Sequence, residues 1–251
     1  MKIHRRHLTL VLLSISGAVL HAADPVVPVV APTQATAGPM IFQTVCAQCH
    51  GAAGEGKEEL KTPSIASLPT WYLNTQLTNF REGRRGHDAA DPYAFMMAAM
   101  AKALQPEQLK AVAAHVETLP LVVPTGKARD MAGTNVQEGM RLFQERCMEC
   151  HRYNASGEMA FGSPPLLGRQ GWYLAEQLRK FKTGKRGAVK NDVNGAKMVQ
   201  ITNFFIEDDQ MLRDVVAYIM TLNPEANASP EEQQKQIIEG SPFKSASAAG
   251  Q

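Results

Sequence analysis

Two short stretches of the chain carry the same reactive pattern. Cys46-Ala47-Gln48-Cys49-His50 and Cys147-Met148-Glu149-Cys150-His151 both read CxxCH, and together they hold all four cysteines of the 251 residues. Two thiols three residues apart sit about one helical turn from each other, so each can add to a vinyl group of the same porphyrin. The histidine that follows is then held beneath the iron as an axial ligand. CxxCH is the attachment signature of c-type haem. The expected cofactors are therefore two covalently bound haem c, one on Cys46 and Cys49 and one on Cys147 and Cys150, with His50 and His151 on the irons. The same thiols suit two other chemistries, a redox-active CxxC pair and half of a zinc site. A thioredoxin-like pair needs a strand before it, and none is readable here. A zinc site needs its cysteine pairs in one small module, whereas these lie 101 residues apart.

Haem irons of electron carriers commonly take a methionine or a second histidine as the sixth ligand. His151 is the last histidine in the chain, so no downstream histidine is available to the second iron. Four methionines follow it, Met159, Met198, Met211 and Met220, and only Met198 coincides with a methionine, Met97, when the chain is shifted by 101 residues. Each of the two lies 47 residues after its histidine. A methionine in a helical protein is most often core packing; the paired spacing is what makes Met97 and Met198 the candidate iron ligands. In the first half Met96, Met100, His87 and His115 stand as rivals. His87 falls on Ala188 and His115 on Tyr218, so neither is shared by the two halves.

The shift of 101 residues exposes an internal repeat, with 18 identities over the 57 positions from Ile41 to Met97. Trp71-Tyr72-Leu73, Gln76-Leu77, Phe80, Gly83 and Arg85-Gly86 all recur in the second half. The register then changes by two residues and the similarity resumes towards Leu119 and Leu222. Such self-similarity predicts two tandem units, placed at residues 38–122 and 134–224 and joined by a linker over 123–133. Residues 24–37, rich in Pro, Val, Ala and Thr, read as a flexible N-terminal arm. Residues 225–251 read as a polar C-terminal tail whose Ser229-Pro230 and Glu232 start a short helix. Within each repeat the apolar spacing predicts helices, in the first over 40–46, 71–80 and 106–119, and strand signals are nearly absent. The expected fold class is all-α. Three short helices bury little on their own and make sense wrapped around a flat apolar group.

Lys2, Arg5 and Arg6, the apolar run from Leu8 to Leu20, and the small residues Ala22 and Ala23 predict a signal peptide over 1–23 and a periplasmic location. The run falls short of the roughly 20 residues a spanning helix needs, so no membrane span is expected once the signal is removed. Removal takes three basic residues and no acidic ones from a chain with 26 basic and 24 acidic, turning a net charge of +2 into −1. No basic patch argues for nucleic acid as a partner.

These motifs resemble cytochrome c4, a two-domain bacterial electron carrier. The likeness covers residues 40–222 and rests on the CxxCH motifs, on Pro63 to Ser67 and Pro164 to Gly168, on Trp71 to Arg85 and Trp172 to Arg186, and on Met97 to Met100 and Met198 to Ile201. It implies two tandem class I cytochrome c folds with His/Met ligation in both. It also implies that the carbonyls of Pro63 and Pro164 accept a hydrogen bond from the proximal histidines. The chain departs from the pattern at Ile201 to Phe205, in a two-residue insertion, and in the tail. Among several basic residues after the Trp-Tyr-Leu segment, Arg85 and Arg186 repeat; they read either as a solvated face or as partners of the haem propionates. The implied function is electron carriage between respiratory-chain redox partners, a quinol-oxidising complex on one side and a terminal oxidase on the other. The alternative is the dihaem electron-accepting subunit of a periplasmic dehydrogenase of the flavocytochrome c sulfide dehydrogenase type. An enzymatic role needs an open iron or a spare cysteine ligand, and no cysteine is spare.

Overall fold

Each CxxCH motif closes a helix. In the computed structural model, which describes residues 34–124, 133–225 and 229–239, α1 (Gln34–Ile41) runs through a five-residue π-helical turn, Phe42–Cys46, into α2 (Ala47–His50). The second half repeats this with α6 (Val136–Leu142), a π turn at Phe143–Cys147 and α7 (Met148–His151). Widened turns of this kind appear mostly as single insertions at functional sites. Here one places the first cysteine of each motif: the amide of Ala47 reaches Phe42 O and that of Met148 reaches Phe143 O. The signal peptide, the start of the arm, most of the linker and the end of the tail lie outside the described residues. Residues 34–37, expected in the arm, are helical.

The rest of each half follows the same order. A 3-10 turn (Glu58–Leu60) leads to α3 (Thr70–Arg81), α4 (Pro92–Ala103) and α5 (Pro106–Glu117). The second half gives a 3-10 turn (Met159–Phe161), α8 (Gly171–Lys182), α9 (Val193–Phe205) and α10 (Asp209–Thr221), and α11 (Pro230–Glu239) follows. The described residues contain no strand, only the isolated bridges Lys57–Thr62 and Glu158–Ser163. None of these helices is long and apolar enough to cross a membrane.

Helix α5 buries Leu109, Val112, Ala113 and Val116, the stripe its spacing predicts. Helix α10 buries Leu212, Val215, Val216, Ile219 and Met220 in the same manner. Both pack on the helix that carries the cysteine motif, and a glycine sits at each crossing. A Cβ on Gly38 would lie 2.4 Å from Ala111 O, and one on Gly139 only 1.9 Å from Asp214 O. This contact is why α1 begins ahead of the apolar run: its turn around Gly38 is covered by α5. Replacing Gly139 by alanine forces the α6–α10 crossing apart and is expected to cost about 1–3 kcal/mol, the usual penalty of overpacking. Thermal unfolding of the holoprotein measures it.

Helices α4 and α9 have no counterpart in the spacing argument. Pro92–Ala103 is apolar nearly all round, so it shows no 3.6-residue stripe. Its start is nonetheless marked: the Asp91 carboxylate accepts from Ala94 N at 3.2 Å with proline at the first position, and Asp192 accepts from Gly195 N at 3.0 Å in the second half. The tail helix is capped reciprocally by Ser229 and Glu232. It is docked rather than loose: Asn154 Nδ2 donates to Ile237 O at 2.6 Å, the Tyr153 hydroxyl donates to Ile238 O at 2.8 Å, and Ile237 packs against the second core.

Candidate functional site

His50 and His151 are buried at the ends of α2 and α7. Nδ1 of His50 donates to the carbonyl of Pro63 at 2.8 Å, and Nδ1 of His151 to that of Pro164 at 3.1 Å. Burial holds both imidazoles below the ordinary histidine range, against the opposing pull of these carbonyls. Each ring is thus neutral at pH 7, with one nitrogen spent on the proline carbonyl and Nε2 left with its lone pair, the form that ligates a metal. The cysteines are unpaired. Burial first, and the neighbouring Cys49 second, push the Cys46 thiol up to about 11; burial and then Cys150 push Cys147 up to about 12. These are not activated thiolates of the kind a redox dithiol uses.

A cavity with about 1230 Å3 of empty space, its mouth included, opens beside His151. Cys147, His151, Pro164 and Leu174 line it, and Met198, from α9, is the methionine among its lining residues. The other methionines that follow His151 lie elsewhere: Met159 is exposed, Met211 packs on the core and Met220 is buried within it. In the first half Met97 is half-buried against Phe80, Ala94, Ala98 and Ala101, whereas Met96 and Met100 face solvent. His87 is exposed. His115 stacks edge-on against Phe42 at 5.3 Å, the place Tyr218 takes against Phe143.

Residues of the first half, including Ser64, Tyr72 and Gln76, line the same cavity, which opens on the junction between the halves. Arg85 and Arg186 meet there. Arg85 donates to Gln76 at 2.8 Å and to the Tyr173 hydroxyl and Gln177 at 3.1 Å. Arg186 returns the pattern to Gln177 at 2.8 Å, Gln76 at 3.0 Å and the Tyr72 hydroxyl at 3.2 Å. Each guanidinium also covers the phenylalanine of its own half, Phe80 or Phe181. Although burial pushes the Tyr173 hydroxyl up, the charges of Arg85 and Arg186 outweigh it and hold it at about 8. The two arginines are therefore not a solvated face; they form a buried, nearly twofold junction.

Four further charged groups stand at this junction. Lys180 pairs with Asp91 across it at 2.8 Å with both side chains buried. Asp192 accepts from Asn79 Nδ2 at 3.3 Å. Arg169 donates to Ser64 O at 3.0 Å and Ala66 O at 2.6 Å, and burial pulls its guanidinium down to about 10, so it is charged at neutral pH. The aspartates were legible as a repeated pair; Lys180 falls on Asn79 and Arg169 on Leu68, so the repeat gave no signal for either.

The junction thus buries four cations, Arg85, Arg169, Lys180 and Arg186, against two carboxylates, Asp91 and Asp192. Burying charge without compensation is expensive. Three buried polar atoms near it, Arg169 Nε, Trp172 Nε1 and Ser64 Oγ, also have no partner within the protein. An apolar cavity bordered by surplus positive charge and idle donors fits a flat hydrophobic group bearing carboxylates, as haem is.

The family described as cytochrome c matches the chain twice, over residues 35–120 and 136–223. A protein of Stutzerimonas stutzeri named thiosulfate dehydrogenase electron acceptor is 32% identical over 169 residues, which cover 65% of this chain and 74% of that one. The crystal structure of reduced recombinant cytochrome c4 from Pseudomonas stutzeri superposes with a TM-score of 0.56 at 24% identity, over 74% of this chain and 97% of that one. The thiosulfate dehydrogenase TsdBA of Marichromatium purpuratum gives a TM-score of 0.56 at 26% identity, over 80% of this chain but 45% of that one. With a CxxCH motif in each matched segment, two haem c are bound covalently. This chain belongs to the cytochrome c family, as a tandem dihaem electron-transfer member built on the fold of cytochrome c4.

Proposed function

We propose that the chain is a periplasmic electron carrier whose two irons are closed by His50 with Met97 and by His151 with Met198. The carrying observation is the meeting of His151 and Met198, from separate helices, on one cavity, with the same spacing repeated in the first half. Bound haem supplies a one-electron ferrous–ferric couple. The chain's own residues do the rest. Pro63 and Pro164 fix the tautomer and orientation of the histidines. The thioethers favour the ferrous state relative to a second imidazole. Arg85 and Arg186, with the other buried cations of the junction, balance the propionates. His50 with Met97 and His151 with Met198 would hold the two irons and would leave no substrate site there, so the reading is a carrier and not an enzyme. The residue limits 38–122 and 134–224, with the 123–133 linker, belong to the same reading, as do export by the 1–23 signal and the absence of a span in the mature protein.

Mass spectrometry of the exported protein tests this directly: two added haems are expected, together with the weak near-infrared sulfur-to-iron band in the ferric spectrum. One added haem, or loss of the band, would overturn the reading.

The likeness to a thiosulfate dehydrogenase electron acceptor and to TsdBA favours one kind of partner, a periplasmic dehydrogenase as electron donor, with a terminal oxidase downstream. A free carrier is reduced by the dehydrogenase at a rate linear in its concentration and elutes alone. A fixed subunit co-purifies.

A further inference from the structure

The two proximal loops are not equivalent. In the first, Pro63 O accepts from His50, and the N–H of the same peptide, that of Ser64, donates to Oε1 of Gln170 in the second half at 2.9 Å. Gln170 is fixed in turn by its Nε2, which donates to Glu55 O at 2.8 Å. Its neighbour Arg169, itself 3% exposed, grips the carbonyls of Ser64 and Ala66. In the second loop Ser64 is replaced by Pro165, so the Pro164–Pro165 peptide has no N–H to give. The counterparts of Arg169 and Gln170 are Leu68 and Pro69, neither of which can return the grip. The histidine bond differs in the same sense, 2.8 Å in the first loop and 3.1 Å in the second.

Hydrogen bonds in a chain polarise one another. A peptide whose N–H is bonded offers a more negative carbonyl oxygen. A better acceptor at Nδ1–H makes the imidazole a stronger donor to the iron, and a stronger donor favours the ferric state. We infer that Gln170, steadied by Arg169, is a positioning residue that reaches from the second domain through the Ser64–Pro63 peptide to His50 and lowers the potential of the first haem alone. This rests on the reading of His50 as an axial ligand.

The test is an NMR-monitored redox titration of the holoprotein, with the two irons told apart by the Met97 and Met198 methyl resonances. Gln170→Leu is expected to shift the reduction equilibrium of the first haem about threefold towards ferrous, about 28 mV upward at 59 mV per tenfold, with the second haem unmoved. The Nδ1–H resonance of His50 should move upfield. Ser64→Pro, which copies the second loop, should give the same sign, and Ser64→Ala, which keeps the N–H, should give no shift. The inference is overturned if both haems shift together, or if Gln170→Leu and Ser64→Pro leave the first potential where it was while both haems stay low-spin. A wild-type spectrum without His/Met low-spin haem removes the ligation reading before any variant is made.

Discussion

Exchanging Met198, the ligand proposed for the second iron, for histidine is expected to lower the midpoint potential of the second haem by roughly 200 mV and to remove about half of the near-infrared sulfur band. The magnitude follows from the ~0.8 V range that axial ligands command and from the preference of thioether sulfur for ferrous iron. The site can receive the rigid ring because Met198 lines a cavity instead of a packed core. Its helix is anchored six residues earlier by the Asp192 cap, so the backbone holds its place. Met220→Leu is the control: that side chain is buried in the core of α10, and its exchange should leave both potentials alone. An unchanged potential in Met198→His would mean that another group closes the second iron.

The attachment chemistry was legible because it is local: two thiols and a histidine within five residues define it. The methionines proposed for the irons lie 47 residues away and became readable only through the repeat. The amphipathic helices α5 and α10 followed from their stripes. Helix α4 did not, since a helix that packs its own alanines and Met97 against Phe80 and is apolar nearly all round shows no polar stripe; the Asp91-Pro92 start was the remaining signal. What sequence could not give was the junction. Arg85 and Arg186 stood out as a repeated pair, but repetition says nothing of which surfaces meet. Their buried exchange with Gln76, Gln177, Tyr72 and Tyr173 is a property of the assembled halves. Arg169 and Gln170 were invisible for the opposite reason, since each breaks the repeat that organised the reading, and Lys180, legible as one of several basic residues after the Trp-Tyr-Leu segment, breaks it too.

Lys180 marks where that break has its largest energetic effect. Its partner Asp91 caps α4 and is otherwise sealed from water. Lys180→Met leaves this carboxylate buried without a cation and is expected to cost about 3–5 kcal/mol, the penalty of opening a buried pair from one side. Lys180→Asn should cost less than half as much, because Asn79 already shows at the related position that an amide satisfies the buried Asp192. Denaturant titration of the holoprotein reads both values. Salt distinguishes the pair from a surface one: the loss in Lys180→Met should persist at 1 M salt, whereas the exposed pair of Arg179 and Asp209 is worth under about 1 kcal/mol and should fade with screening. A loss as small as that in Lys180→Met would mean that water reaches Asp91. The same substitution removes one of the junction's four buried cations. A cation near a haem disfavours the extra positive charge of the ferric state, so both midpoints should fall together, in contrast to the single-haem response expected of Gln170.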